Sequence, residues 1–265
     1  MSRALDSLRE TFEDPLLVRT GGVYERTPQG ERLLRDLESI MGRLAAMVQG
    51  DEFSPAQTQE RIRMAMTDHG ATILLPTLLP RLRKAAPHAK LQLSAWRTEA
   101  YADVTAGRLD IALSAEVAPP DLESELIFNL DFVCLVGSAQ PVRTRRYTLK
   151  RYLQLPHAVV ETLDGRQTPV DRALAQLGVK RRVALALPFF VPAIFAVAQT
   201  DLILTVPRTL AKIAASTAGL RVVEPPREIK PFPYFMVWHS RLGTESAHAW
   251  FRDQLRVVAR GIRTK

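Results

Sequence analysis

The sequence has little of what makes an enzyme, a metalloprotein or a membrane protein. It holds one cysteine, Cys134, in 265 residues. That excludes an internal disulfide and suits a reducing compartment. Cys134 lies inside the apolar run VCLV, where a thiol reads as an inert core residue. None of the five histidines (His69, His88, His157, His239, His248) pairs with another at metal-ligand spacing. HExxH, CxxC, GxSxG and a phosphate-cradling glycine loop are missing. No stretch is apolar over the ~18 residues a membrane helix needs. The N-terminus is charged, with no apolar signal region. We therefore expect no enzyme activity, no cofactor, no metal and no membrane contact, in a cytoplasmic protein.

Acidic charge is also short overall: 36 Lys/Arg face 28 Asp/Glu, a net of +8. The excess is unevenly placed. Residues 1–57 hold seven basic and ten acidic residues, net −3, while 58–265 hold 29 and 18, net +11. The clusters Arg143, Arg145, Arg146, Lys150, Arg151 and Lys180-Arg181-Arg182 read as solvated faces. Charge alone does not mark the N-terminus as a nucleic-acid binder.

What the chain does have begins at Ser2. In SRALDSLRETFEDPLLVRTGGVYERT, Leu5, Leu8 and Phe12 recur at three- and four-residue spacing, the stripe of a short amphipathic helix. Asp14-Pro15 stops it. Leu16 to Val18 read as a strand, Gly21-Gly22 as a tight turn, and Val23-Tyr24 as the return strand. On spacing alone this is any small helix plus hairpin. Thr27-Pro28 then opens a longer helix to about Gln49. Its narrow stripe (Leu33, Leu37, Ile40, Leu44) fits either a seam between two helices or packing within one domain.

Residues 50–59 are polar and read as a boundary. From residue 60, strands alternate with helices, which predicts parallel βαβ units. Strands are expected at 61–67, 91–95, 108–115, 157–161, 182–188, 201–207, 220–223 and 234–240, with one long strand over 126–137. Helices are expected around 74–82, 101–106, 168–177, 189–199, 208–216 and 245–262. The pattern suggests two lobes, about 60–132 with 234–265 and about 138–226, with a cleft between them.

The wording at 2–30 closely resembles the LysR-type transcriptional regulators. Ser2-Arg3-Ala4-Leu5, Asp14 through Thr20 and Thr27-Pro28-Gln29-Gly30 match the end of their winged helix-turn-helix and the start of their linker helix. The runs at 67–76, 108–114 and 205–211 resemble their effector-binding domain, which has a periplasmic-binding-protein (type 2) fold. The resemblance implies an α/β protein with three parts. These are a partial winged helix-turn-helix (1–27), a dimerisation helix (28–49) and a two-lobed effector-binding domain (60–265). It further implies a homodimer or homotetramer that binds promoter DNA, with Ser2, Arg3, Asp6, Arg9, Arg19 and Thr20 at the DNA. The DPLLVRTG wording is closest to the nodulation and aromatic-degradation branch. The family's head carries two further helices before Ser2, so weak DNA binding is expected of the chain as written. A solute-binding protein is the alternative; an α/β transferase would need a catalytic constellation that the residues do not offer.

Ligands of open α/β sheets bind beyond the carboxyl ends of strands. Asp68 and His69, Trp96, Arg166 and Thr168, Phe189 and Thr205 all stand where a strand gives way to a helix. The effector-contacting residues of the family come from such places. Singly, Trp96 and Phe189 also suit a core, and His69 or Thr168 a helix cap. Helix starts near His69 and Thr168 would favour an anion, and Trp96 an aromatic ring.

Overall fold

The computed structural model describes residues 3–34, 37, 53–142, 144–161, 167–217 and 219–262. The chain divides into two compact units, Met1–Phe53 and Ser54–Lys265.

In the first unit, helix α1 (Arg3–Phe12) is followed by a hairpin of β1 (Leu17–Thr20) and β2 (Val23–Arg26). Thr20 pairs with Val23, so the turn is the two residues Gly21-Gly22, both at positive φ (61° and 92°). Helix α2 begins at residues 28–34. The corner between α1 and the hairpin is tied to α2 by Asp14. Its Oδ1 accepts from the Leu16 N–H (2.7 Å) and the Thr27 hydroxyl (2.7 Å). Thr27 in turn caps α2, accepting from the Gly30 N–H at 3.0 Å. Gly30 leaves room for this approach: a Cβ there would stand 2.5 Å from the Leu16 carbonyl oxygen. The Asp14…Thr27-Pro28-Gln29-Gly30 wording is therefore one hydrogen-bonded corner. Of the expected dimerisation helix, residues 38–49, including Ile40 and Leu44, lie outside the described residues.

The second unit carries two five-stranded sheets, one per lobe. The first lobe is built from β3 (Arg61–Met66), α3 (Asp68–Ala85), β4 (Lys90–Ala95), α4 (Ala100–Thr105), β5 (Ile111–Ser114) and β6 (Leu122–Leu130). The chain then enters the second lobe as β7 (Phe132–Gly137), α5 (Leu149–Gln154), β8 (Pro156–Val160), α6 (Pro169–Gln176) and β9 (Arg182–Leu187). It continues as α7 (Phe190–Val197), β10 (Ile203–Pro207), a 3-10 turn into α8 (Ala211–Ala215), and β11 (Leu220–Val223). It returns through β12 (Phe232–His239) and ends in α9 (Ser246–Ile262).

Strand order is β4-β3-β5-β12-β6 in the first sheet and β11-β7-β10-β8-β9 in the second. β3, β4 and β5 are parallel, as are β8, β9 and β10. β12 runs antiparallel to β5 and β6, and β7 antiparallel to β10 and β11. Both sheets are thus mixed, because the strand that crosses between lobes enters each against the grain. Their buried central strands (Met64, Ile111 and Met236; Cys134, Val136 and Ile203) form the cores under α3 and α9 in one lobe and α5 and α6 in the other.

The long strand expected over 126–137 is two strands in different sheets. They part at exposed Asp131, whose carbonyl accepts from the Arg208 N–H (2.7 Å), one step beyond the Phe132–Pro207 pair of the second sheet. The break falls on Asp131, the charged residue inside the run LIFNLDFVCLVG. α5 was not foreseen; it is six residues capped by Thr148, too short to show a helical period. α3 starts at Asp68, six residues before its apolar stripe, and runs through Pro76 and Pro80 on its exposed side.

Candidate functional site

The carboxyl ends of β3, β4, β5, β8 and β10 converge on one cleft between the two lobes. It holds about 780 Å³ free of protein atoms, its open mouth included. Five aromatic rings line it: Trp96, Phe132, Phe190, Phe232 and Tyr234. Phe132 and Phe232 stack at 4.8 Å where the two crossing strands enter their sheets. The polar lining comes from Thr67, His69, Ser114, Glu116, Thr168, Arg181 and Thr205. A few polar groups on aromatic walls is the usual make-up of a small-molecule site.

Each polar group is fixed by local structure. Thr67 caps α3 by accepting from the Gly70 N–H, and Thr168 caps α6 by accepting from Asp171. His69, in the first turn of α3, is 2 % exposed, and its Nε2 lies 2.8 Å from the Thr209 hydroxyl of the other lobe. Burial pulls its pKa down to about 3, so the ring is neutral. Asp68 turns from the cleft to the other lobe, where its carboxylate accepts from the Phe190 and Val191 N–H groups (3.0 and 2.8 Å) at the start of α7. Glu116 makes a further cross-lobe contact, an ion pair with Arg172 of α6, whose Nη1 donates to Oε2 at 2.9 Å.

Deeper in the second lobe, Arg181 forks onto Asp171, Nε to Oδ1 at 2.7 Å and Nη2 to Oδ2 at 2.8 Å, and also reaches the Thr168 hydroxyl. Burial works against both charges, yet their pairing wins: Arg181 is pushed up and Asp171 held below the usual carboxylate range. Thr205 meets the Tyr152 hydroxyl at 2.7 Å and the Cys134 sulfur at 3.7 Å. Burial pushes the Cys134 thiol up to about 12, which leaves it unreactive.

Of the expected effector residues, His69, Trp96, Thr168 and Thr205 line this cleft and Asp68 spans it from outside. Phe189 is 47 % exposed; Phe190, one residue on, takes the place in the wall. Phe189 is still extended (φ −129°) and precedes the helix, so its side chain points elsewhere. Arg166 lies outside the described residues. Arg181 was read as part of a solvated cluster and is 8 % exposed; the preceding Asp171, ten residues away, was its missed partner. Tyr234 and Phe232 carried no signal beyond their strand, and Glu116, two residues past β5, carried none. Among the described residues no three His, Cys, Asp or Glu side chains group as a metal site, and no helix is long and apolar enough to cross a membrane.

In the first unit, Arg9 donates to the Pro15 carbonyl (2.8 Å) and to Asp6 (3.2 Å), while Asp6 and Arg19 are exposed. Ser2 and the side chains of Arg3 and Thr20 lie outside what is described.

The LysR substrate binding domain family matches residues 55–260. The chain belongs to the LysR family of transcriptional regulators. This LysR regulator is 30 % identical to HTH-type transcriptional regulator SyrM of Rhizobium meliloti (strain 1021), over 98 % of its own length and 80 % of the relative's. It resembles the crystal structure of the probable transcriptional regulator PA0477 from Pseudomonas aeruginosa, with TM-score 0.71 and 32 % identity, covering 95 % of this chain and 85 % of that one. Full-length CbnR complexed with its target DNA shares the fold, with TM-score 0.61 at 18 % identity over 97 % of this chain and 88 % of that one.

Proposed function

We propose that this LysR regulator binds promoter DNA as a homodimer or homotetramer and responds to a small aromatic effector held between its two lobes. The cleft is the observation that carries the reading: strand ends of both sheets meet there, and five aromatic rings surround a few fixed polar groups. A ligand touching both lobes stabilises one arrangement of them, which is the differential contact a switch needs. DNA contact is assigned to Ser2, Arg3, Asp6, Arg9, Arg19 and Thr20, and effector contact to Asp68, His69, Trp96, Arg166, Thr168, Thr205 and Phe190 in place of Phe189. Self-association is assigned to the helix that opens at residue 28.

The effector's charged head, if it has one, is an anion. The starts of α3 and α6 at the cleft favour negative charge, and Arg166 precedes α6. A thermal-shift screen of aromatic acids beside their neutral amides, repeated with Arg166→Ala, tests this. Hits among the acids that weaken in Arg166→Ala are expected. Hits confined to neutral or cationic compounds contradict the anion.

A further inference from the structure

Charge is unevenly shared between the lobes. Residues 132–231, from the start of β7 to the chain's return, hold 15 Lys/Arg against six Asp/Glu, a net of +9. The rest of the second unit, 54–131 with 232–265, holds 14 against 12, a net of +2. In the first lobe Arg63 pairs with Asp110, Arg97 and Arg108 with Asp103, and Arg256 with Glu125. The outer edge of the second lobe is different. β11 is an edge strand of its sheet, and residues 145–146 lie beside it. There the Glu224 N–H donates to the Arg145 carbonyl (2.8 Å), and Arg146 bridges to Glu224. Arg146 and Arg208 share the one Glu224 carboxylate (3.5 and 2.7 Å), and Arg208 reaches Asp131 only at 4.0 Å. Arg146 and Arg221 are held on the carbonyls of Pro225 (2.8 Å) and Gln140, which orient a guanidinium without cancelling its charge. Arg145, Lys150 and Arg151 are exposed, and among the described residues no carboxylate pairs with them. Burial raises the Tyr147 hydroxyl, while Arg151 and Arg221 both stand close enough to pull it back, so α5 and β11 bring their cations to one place.

We propose that this edge is a second DNA-binding surface, on which Arg145, Arg146, Lys150, Arg151 and Arg221 take the phosphates of a duplex whatever its sequence. The proposal rests on the promoter-DNA reading above for its partner and adds a surface to it. Four of the five groups are arginines, whose planar fork fits phosphate oxygens. A duplex carries one charge per ~1.7 Å of its axis, so several cations along one sheet edge meet several phosphates at once. The N-terminal unit of a second copy is the weaker match. Residues 1–57 are net −3, and of their carboxylates Asp6 and Glu31 already pair with Arg9 and Arg26, and Asp14 holds the corner.

The test titrates the full chain into a fluorescent random-sequence duplex over a range of salt. The wild type is compared with an edge variant, Arg145→Glu, Lys150→Glu and Arg151→Glu together, and with Arg19→Glu on the hairpin of the first unit. The three edge side chains make no hydrogen bond or ion pair among the described residues, so the variant's melting temperature and light-scattering mass should match the wild type. At low salt it should bind about tenfold more weakly, and the slope of log affinity against log salt should flatten by about two to three, at about 0.9 per lost phosphate contact. Arg145→Lys with Arg151→Lys keeps the charge and should keep the slope. Arg19→Glu should leave most of the random-sequence binding in place. Wild-type affinity and slope in the edge variant overturn the surface; if Arg19→Glu alone then abolishes binding, the head's DNA contact stands without it. A wild type that binds no duplex at low salt overturns the surface and the DNA reading together. A lower mass for the edge variant assigns the edge to a second copy, whatever its DNA affinity, and overturns the proposal.

Discussion

His69 shows how one residue is set by burial. It is sealed at the lobe junction as a neutral imidazole against Thr209 and the Phe190 ring. Its folded pKa, about 3, and that of His157, about 4, both lie below the usual 6.5. The unfolded chain therefore takes up protons first as pH falls. The stability from these two rings is fully present above pH 6.5 and drains away toward pH 4 to 3, at up to about 1.4 kcal/mol per pH unit for each ring. Denaturant melts from pH 7 to 4 should show this slope, and His69→Gln should flatten it. A slope unchanged in His69→Gln would mean that the ring titrates normally. His69 was readable from its place after a strand. Its burial was not, because Thr209 and Phe190 stand 140 and 121 positions away in the chain. Arg181 failed for a similar reason: a Lys-Arg-Arg run looks like surface until Asp171 is seen folded against its middle member.

At the scale of elements, local chemistry was written plainly. Asp14-Pro15, Gly21-Gly22 and Thr27-Pro28 each mark an end, a turn or a start, and each acts there in the structure. Thr168-Pro169 opens α6 in the same way. Thr27→Ala should cost the first unit about 1 kcal/mol through the lost cap. Gly30→Ala should cost more, since its Cβ meets the Leu16 carbonyl at 2.5 Å. Protection of the α1-to-hairpin corner in limited proteolysis ranks the two. Equal protection in Gly30→Ala and the wild type would show that the corner relaxes without cost. The split of 126–137 had one local mark, Asp131, but a single polar residue also suits the solvent face of one long strand, and only long-range pairing shows that the two halves lie in different sheets.

At the scale of the molecule, polar contacts between the lobes of the second unit include, among the described residues, Asp68 on α7, His69 on Thr209 and Glu116 on Arg172. Arg172 is half-exposed, so the ion pair adds little to stability. Its expected role is kinetic. Arg172→Ala should speed both uptake and release of a cleft ligand in stopped-flow traces, with the melting temperature nearly unchanged; unaltered rates would remove the pair as a clasp. Self-association through the helix from residue 28 predicts that Leu37→Asp with Leu44→Asp lowers the mass seen by light scattering. An unchanged mass assigns assembly to other surfaces.

Effector binding between the lobes is the central claim, and Trp96 reports on it directly. Trp96 is the one tryptophan of three in the cleft wall; Trp238 and Trp250 pack elsewhere in the first lobe. A Trp238→Phe, Trp250→Phe variant leaves Trp96 as the sole emitter. Titrating it with a hit from the effector screen should quench or shift its fluorescence with the same midpoint as the thermal shift. Saturable binding with no change in Trp96 emission would place the ligand elsewhere and contradict the account.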